Sequence, residues 1–226
     1  MLDGIFITGT DTGVGKTYVG SRIVRGLKQR GIAVDPRKPV ESGCERCDHG
    51  LHPADAIEYA EALDDLSALD RICPLRFEAP LAPPVAARQA GRSLSLTEVI
   101  QACGNSAGLR VIEGAGGFLS PLADDGLNAD LAVALALPVV VVAANRLGCI
   151  NHLLLTLEAI ERRGLTMLGV VLTTPRPDAA LAENLTALRQ WQSLPVMPLG
   201  HSADIDVDSL FSLLGHPLES LDHRIG

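Results

Sequence analysis

The sequence predicts an α/β protein, a three-layer domain whose mainly parallel central sheet is flanked by helices. Three observations predict it. Apolar, β-branched runs alternate with helical patterns along the chain, the order that builds a parallel sheet through right-handed helical crossovers. Runs such as Val139-Val-Val-Val-Ala143 are apolar without a break, which marks strands buried on both faces. The first apolar run passes into a glycine-bearing turn, and a helical pattern opens at Lys16.

The elements follow in order. A strand is expected over Leu2–Thr8 and a helix over Lys16–Arg30, with Val19, Ile23, Val24 and Leu27 on one face. Arg22, Arg25 and Lys28 turn away, and Gly31 stands as the C-cap. A second strand over Ile32–Lys38 is closed by Pro39, which prevents a helix from starting. A helix over Ala54–Leu63 follows. The stretch Pro74 to Pro84 holds four prolines and reads as an ordered excursion beside the sheet. Beyond it the pattern gives a helix over Leu96–Cys103, a strand over Leu109–Glu113 and a helix over Ala129–Leu135. A strand over Pro138–Ala144, a helix over Ile150–Arg163 and a strand over Met167–Leu172 come next. The last elements are a helix over Ala179–Trp191, a strand over Val196–Pro198 and a helix over Val207–Leu214. No internal repeat divides the chain, so residues 1–226 read as one domain, with a loosely held tail after Gly215.

Composition narrows the function classes. A net charge of −8, with Lys and Arg scattered, argues against nucleic acid as a partner. The longest apolar stretch, Leu131 to Ala144, is interrupted by Pro138, so no membrane span is expected. Five cysteines, an odd number, in a chain with no basic leader read as thiols in a cytoplasmic protein. Aromatics are only 3%, so the core must be aliphatic.

Chemistry concentrates in Ile5-Phe-Ile-Thr-Gly-Thr-Asp-Thr-Gly-Val-Gly-Lys-Thr17. Strand, glycine turn and helix in this order make a P-loop. Backbone N–H groups of Gly13, Val14 and Gly15 cradle phosphate oxygens, Lys16 reaches the terminal phosphates, and the Thr17 hydroxyl ligates Mg²⁺. The spacing departs slightly from the usual form, because the expected first glycine falls on Thr10 and Gly9 sits one residue early. The fold class is thus a P-loop NTPase fold, and the ligand a nucleoside triphosphate.

Ligands of open α/β sheets sit beyond the carboxyl ends of the strands, and three further segments place polar groups there. Lys38, in Arg37-Lys-Pro-Val-Glu-Ser-Gly43, is a second lysine at the catalytic edge. Glu113, in Arg110-Val-Ile-Glu-Gly-Ala-Gly-Gly117, is delivered by a buried strand as a carboxylate for Mg²⁺, and its glycines let the backbone approach a ligand. Leu147-Gly-Cys-Ile-Asn-His152 opens a helix whose free N–H groups suit an anion such as a carboxylate. His152 by itself reads as a satisfied polar residue. Cys44, Cys47, His49 and His52 sit close together, but the run is short and lacks the usual separation between zinc ligand pairs.

This ordered set of motifs resembles the dethiobiotin synthetase family, from about residue 5 to about residue 172. Thr8-Gly-Thr-Asp-Thr-Gly-Val-Gly-Lys-Thr17, Lys38-Pro-Val-Glu-Ser-Gly43, Glu113-Gly-Ala-Gly-Gly117 and Leu147-Gly-Cys-Ile-Asn-His152 carry it, with Phe77-Glu-Ala-Pro-Leu-Ala-Pro-Pro84 between them. The resemblance implies an ATP-dependent cyclo-ligase acting on 7,8-diaminononanoate and CO₂, or bicarbonate as its source. The path would run through a carbamate and a carbamic–phosphoric anhydride to the ureido ring. It implies Lys16, Lys38 and Thr12 as catalytic groups, and Mg²⁺ held by Thr17, Asp55 and Glu113. Nucleotide contacts would come from Gly13 through Tyr18, from Asp55, from Glu113, Gly114, Ala115 and Gly116, and from Thr173 and Thr174. Thr12, Ser42, Gly148, Cys149, Ile150 and Asn151 would contact substrate, the last four across the interface of a homodimer.

The chain departs from the family at Thr173-Thr174, where an Asn-Asp pair is common and the Asn reads adenine. Two hydroxyls predict weaker discrimination among nucleoside triphosphates. Residues 196–208 also match poorly, leaving the remaining base and ribose contacts unassigned. Two other readings share the nucleotide half: a regulatory ATPase switch of the partitioning or cell-division type, and another P-loop amide-forming ligase. The first would carry an early lysine where this chain has Asp11, and the second would not be expected to retain both the Lys38 and the Leu147 motifs.

Overall fold

Six strands form the central sheet: β1 (Gly4–Gly9), β2 (Val34–Arg37), β3 (Leu109–Gly117), β4 (Val139–Ala144), β5 (Met167–Thr174) and β6 (Val196–Gly200). Their order across the sheet is β6-β5-β4-β1-β3-β2, with every neighbouring pair parallel. The structure is a computed structural model that describes residues 2–106, 108–174, 182–200 and 205–213.

Parallel neighbours need crossovers, and among the described residues nine helices are seen, most of them in those connections. They are α1 (Lys16–Gln29), α2 (Ala54–Ala62), α3 (Leu69–Ile72), α4 (Pro83–Gln89), α5 (Leu96–Ala102), α6 (Asn128–Leu135), α7 (Cys149–Glu161), α8 (Ala182–Trp191) and α9 (Val207–Leu213). Side chains alternate across each strand, so β1 sends Ile5 and Ile7 to one core and Phe6 to another. The first core holds α1, α2, α3 and α9, and the second holds α4 to α8. The three-layer parallel architecture is the one the sequence predicts.

The differences have local causes. β2 begins two residues later than expected, because Gly31 (φ 76°) and Ile32 complete the end of α1 and Ile32 N–H bonds to Leu27 O at 3.1 Å. β3 runs on through the glycines to Gly117, with an irregularity opposite the turn from β1. The proline-rich excursion carries a short strand, Leu75–Phe77, that pairs in parallel with Val40–Ser42, and then α4, which has proline in its first turn. Such a position suits proline, whose missing N–H would have no helical partner. A small hairpin, Glu45–Cys47 with Gly50–His52, was not foreseen. The expected tail after Gly215 and the start of the Ala179–Trp191 helix lie outside the described residues.

Candidate active site

β1 delivers the chain to the P-loop at Gly9. A Cβ there would lie 2.7 Å from Val14 Cγ2, so the loop closes over a bare backbone. Gly13 (φ 71°) and Gly15 (φ 93°) take the left-handed conformation that favours glycine. Gly15 is also the N-cap of α1, so the free N–H groups of the helix point into the loop. Thr173, at the end of β5, supports the loop from behind: its hydroxyl donates to Val14 O at 2.8 Å, with Ala143 O the more distant acceptor at 3.3 Å. Thr174 Oγ1 accepts from Asn145 Nδ2 at 3.4 Å.

Beside the loop lies a cleft of about 840 Å³, where the edges of several elements meet. Thr12, Gly13, Gly15, Lys16, Thr17 and Tyr18 line it from the loop and α1, while Lys38 and Ser42 line it from the segment after β2. Asp55 comes from α2, and Glu113, Ala115 and Gly116 come from β3. Val14 and Gly114 do not line the cleft. A Cβ on Gly114 would come within 2.5 Å of Asn128 Oδ1.

The electrostatics centre on Lys38. Its Nζ lies 2.5 Å from Glu113 Oε1 and 2.7 Å from Asp55 Oδ2, and it is buried. Burial alone would pull this amine down; Glu113 and then Asp55 outweigh that and hold it above its ordinary range. Burial works against the Asp55 carboxylate too, yet Lys38 keeps it below the usual value. Lys16 stands apart from this pair, its Nζ donating to Asp11 O at 3.0 Å. Burial, followed by the positive Lys38 nearby, lowers it to about 8. A phosphate would meet two ammonium groups, one of them held firmly charged by two carboxylates.

Thr17, Asp55 and Glu113 fit a hard divalent cation. All three offer oxygen: two carboxylates and a hydroxyl, with Thr17 Oγ1 donating to Glu113 Oε1 at 3.1 Å. Mg²⁺ is commonly held by one or two carboxylates together with substrate phosphates, and Asp55 and Glu113 are two such carboxylates, both bonded to Lys38 Nζ in this structure. Among the described residues no group of three or more His, Cys, Asp or Glu is placed to hold a metal. Cys44 is buried with its thiol toward Glu41 O at 3.5 Å, whereas Cys47, His49 and His52 border a separate shallow pocket.

The structure adds residues that sequence reasoning missed. Glu41 caps α2, accepting from the N–H groups of Asp55 at 3.0 Å and Ala56 at 3.1 Å, and thereby fixes the helix end that carries Asp55. Burial, and then the neighbouring Asp55, push its carboxyl up to about 7. Asn128, with no exposed surface, ties the backbone of the Gly114–Gly117 segment. Tyr59 on α2 donates to Glu113 Oε2 at 2.8 Å. A carboxylate in the same short motif as Lys38 was the trace of Glu41; an Asn opening a helix was that of Asn128.

Gly148, Cys149, Ile150 and Asn151 do not line this cleft. They open α7, with Gly148 (φ 88°) as its N-cap, and the turn before them reaches the P-loop through Arg146 and Asp11, 3.5 Å apart. Leu147 in that turn is 99% exposed.

A family model described as "AAA domain" matches residues 3–201. The chain is 42% identical to "ATP-dependent dethiobiotin synthetase BioD" of Anaeromyxobacter dehalogenans (strain 2CP-1 / ATCC BAA-258), covering 96% of this chain and 100% of that one. A protein of the same name from Caulobacter vibrioides (strain NA1000 / CB15N) is 36% identical over 94% of this chain and 99% of its own length. That of Xanthomonas axonopodis pv. citri (strain 306) is 40% identical over 84% and 87%.

Proposed function

The chain belongs to the dethiobiotin synthetase family, and on that premise we propose that it closes the ureido ring of dethiobiotin from 7,8-diaminononanoate, CO₂ and ATP. Membership makes it an ATP-dependent ligase of biotin biosynthesis. The observation that carries the finer reading is the gathering of Lys16, Lys38, Thr17, Asp55 and Glu113 around one cleft.

One amine of the substrate adds to CO₂ and loses a proton, giving a carbamate. A carbamate oxygen attacks the γ-phosphorus of ATP, the bond to the bridging oxygen breaks, and ADP leaves. The second amine then attacks the carbonyl carbon of the mixed anhydride, the ring closes, and phosphate departs as the nitrogen loses its proton. The attack of the carbamate on the triphosphate brings anions together, so the protein's work is positioning and fixed positive charge.

The residues divide that work. Backbone N–H groups of Gly13, Val14 and Gly15, with Lys16, hold the phosphates. Lys38, kept charged by Glu113 and Asp55, opposes the charge that builds between carbamate and phosphate. Thr17, Asp55 and Glu113 would hold Mg²⁺, which when bound neutralises phosphate charge. Tyr18 and Gly114 to Gly116 border the nucleotide; Thr12 and Ser42 border the substrate. Thr173 acts on the nucleotide through the loop it supports, and Thr174 follows it at the end of β5.

A homodimer completes the reading, with the Gly148–Asn151 amides of one protomer on the substrate carboxylate in the other's cleft. In keeping with it, Leu147 beside these amides and Leu155 on α7 are exposed. Among the described residues no helix is long and apolar enough to cross a membrane, and the cytoplasm is the compartment this reading implies. The test is incubation with diaminononanoate, bicarbonate, MgCl₂ and ATP, with mass detection of the cyclic urea. A protein that binds ATP but yields no cyclic urea sinks the proposal.

A further inference from the structure

Tyr59 takes no part in the reaction as proposed, yet its hydroxyl touches a residue that does. It follows Asp55 by four positions on α2, so both side chains leave the same helix face. The ring is fully buried, and Oη donates to Glu113 Oε2 at 2.8 Å. Glu113 is itself 1% exposed, and its other oxygen, Oε1, accepts from Thr17 Oγ1 at 3.1 Å and Lys38 Nζ at 2.5 Å. One oxygen of this carboxylate faces the cleft, and the other is tied back into the core.

Helix α1 is shaped around that contact. Gly20 is buried in its middle, and a Cβ there would lie 1.8 Å from Tyr59 Oη and 2.7 Å from Cζ. Glycine inside a helix costs about 1 kcal/mol relative to alanine. The helix gives up that stability where the Tyr59 hydroxyl must pass to reach Glu113.

We infer that Tyr59 is a positioning residue whose hydroxyl locks Glu113, so that Oε1 alone is presented to the divalent cation accompanying the nucleotide. The inference rests on the reading of Glu113 as a metal ligand. With bonds to Oε1 alone the carboxylate can still turn and exchange its two oxygens; with Oε2 also bonded in a buried place, one orientation remains. Hydrogen bonds to ligating carboxylates commonly change metal affinity by about 10- to 100-fold when removed. Gly20 and Tyr59 thus form a matched pair, one residue making the space and the other using it.

The test is Tyr59→Phe, which keeps the ring and removes only the hydroxyl. Mn²⁺ is titrated against the full chain saturated with the β,γ-imido analogue of ATP, and free Mn²⁺ is read by electron paramagnetic resonance. Mn²⁺ binding is expected to weaken about tenfold, while affinity for the analogue measured without metal stays at the wild-type value. Unchanged Mn²⁺ affinity overturns the inference. The pair Gly20→Ala with Tyr59→Leu refills the vacated space without a hydroxyl, and it serves as the comparison should the single variant fold poorly. It is expected to melt near wild type and still bind Mn²⁺ weakly; wild-type affinity in that pair would also overturn the inference. Because Mn²⁺ and nucleotide alone are read, failure of the wild type to make cyclic urea sinks the proposed reaction and leaves this comparison intact.

Discussion

Removing the side chain of Asn128 tests how the cleft holds its glycine segment. Its Oδ1 accepts from Ala115 N at 2.9 Å, and its Nδ2 faces Ala115 O at 2.6 Å, Gly117 O at 3.2 Å and Ser120 O at 3.2 Å. The amide has two protons for those three carbonyls, so the side chain is equivalent to about three hydrogen bonds. At about 1 kcal/mol net each, Asn128→Ala loses about 3 kcal/mol, and the abandoned Ala115 N–H adds about 1 kcal/mol or more. For a domain of this size each kcal/mol lowers Tm by about 2–4 °C, which gives a fall of about 10 °C.

Asn128→Asp is the sharper perturbation, because it sets a carboxylate oxygen against three carbonyl oxygens in a place with no exposed surface. The folded protein then favours the protonated acid, so the carboxyl is raised above its unfolded value. Its ionisation costs nothing below the unfolded pKa, near 4, and destabilises progressively as pH rises toward the folded pKa. The Asp variant should therefore be closer to wild type at pH 5 than at pH 8, and at pH 8 less stable than Asn128→Ala. Urea melts at both pH values, compared at a common m-value, measure this. An Asp variant whose deficit is the same at both pH values, or an Ala variant within 1 kcal/mol of wild type (a bound set roughly from the single-bond figure), would refute the reasoning.

The remaining expectations concern the cleft and the thiols. Lys16→Ala should lose nucleotide affinity and turnover together, as calorimetry and steady-state kinetics would reveal. Lys38→Ala should cut turnover by about 10²-fold or more while nucleotide affinity changes little, since its charge matters most as phosphorus is transferred; near-normal turnover removes Lys38 from the mechanism. With Thr173 and Thr174 at the end of β5, CTP and GTP should support turnover comparable to ATP, and strong ATP preference in side-by-side kinetics refutes this. Iodoacetamide at pH 8 should modify the exposed Cys47 first, because burial and then Glu41 push Cys44 up to about 11, and burial pushes Cys103 up to about 12. Labelling of Cys44 should rise only as pH climbs toward that value, so peptide mapping that finds Cys44 or Cys103 modified at the rate of Cys47 contradicts the burial.

What the sequence disclosed depended on whether a signal was local. The six strands of the sheet were legible because unbroken runs such as Val139–Ala143 mark burial on both faces, and Lys38 because Pro39 stops its strand at the sheet edge. The ladder of Val40–Ser42 on Leu75–Phe77 was not, since three residues are too few to show a period. Nothing local in the sequence marks Tyr59. Its bond to Glu113 spans 54 positions and exists only once α1 and α2 are packed. Thr173 is comparable: beside Thr174 it reads as a substitute for a base-reading amide, whereas its bond to Val14 O follows from the register that sets β5 near the P-loop. The one local trace of such long-range pairs is a residue that is poor for its own element. Gly20 is unfavourable in α1 and becomes reasonable only with Tyr59 in view, so a helix-interior glycine facing the core is grounds to look for the side chain that needs the room.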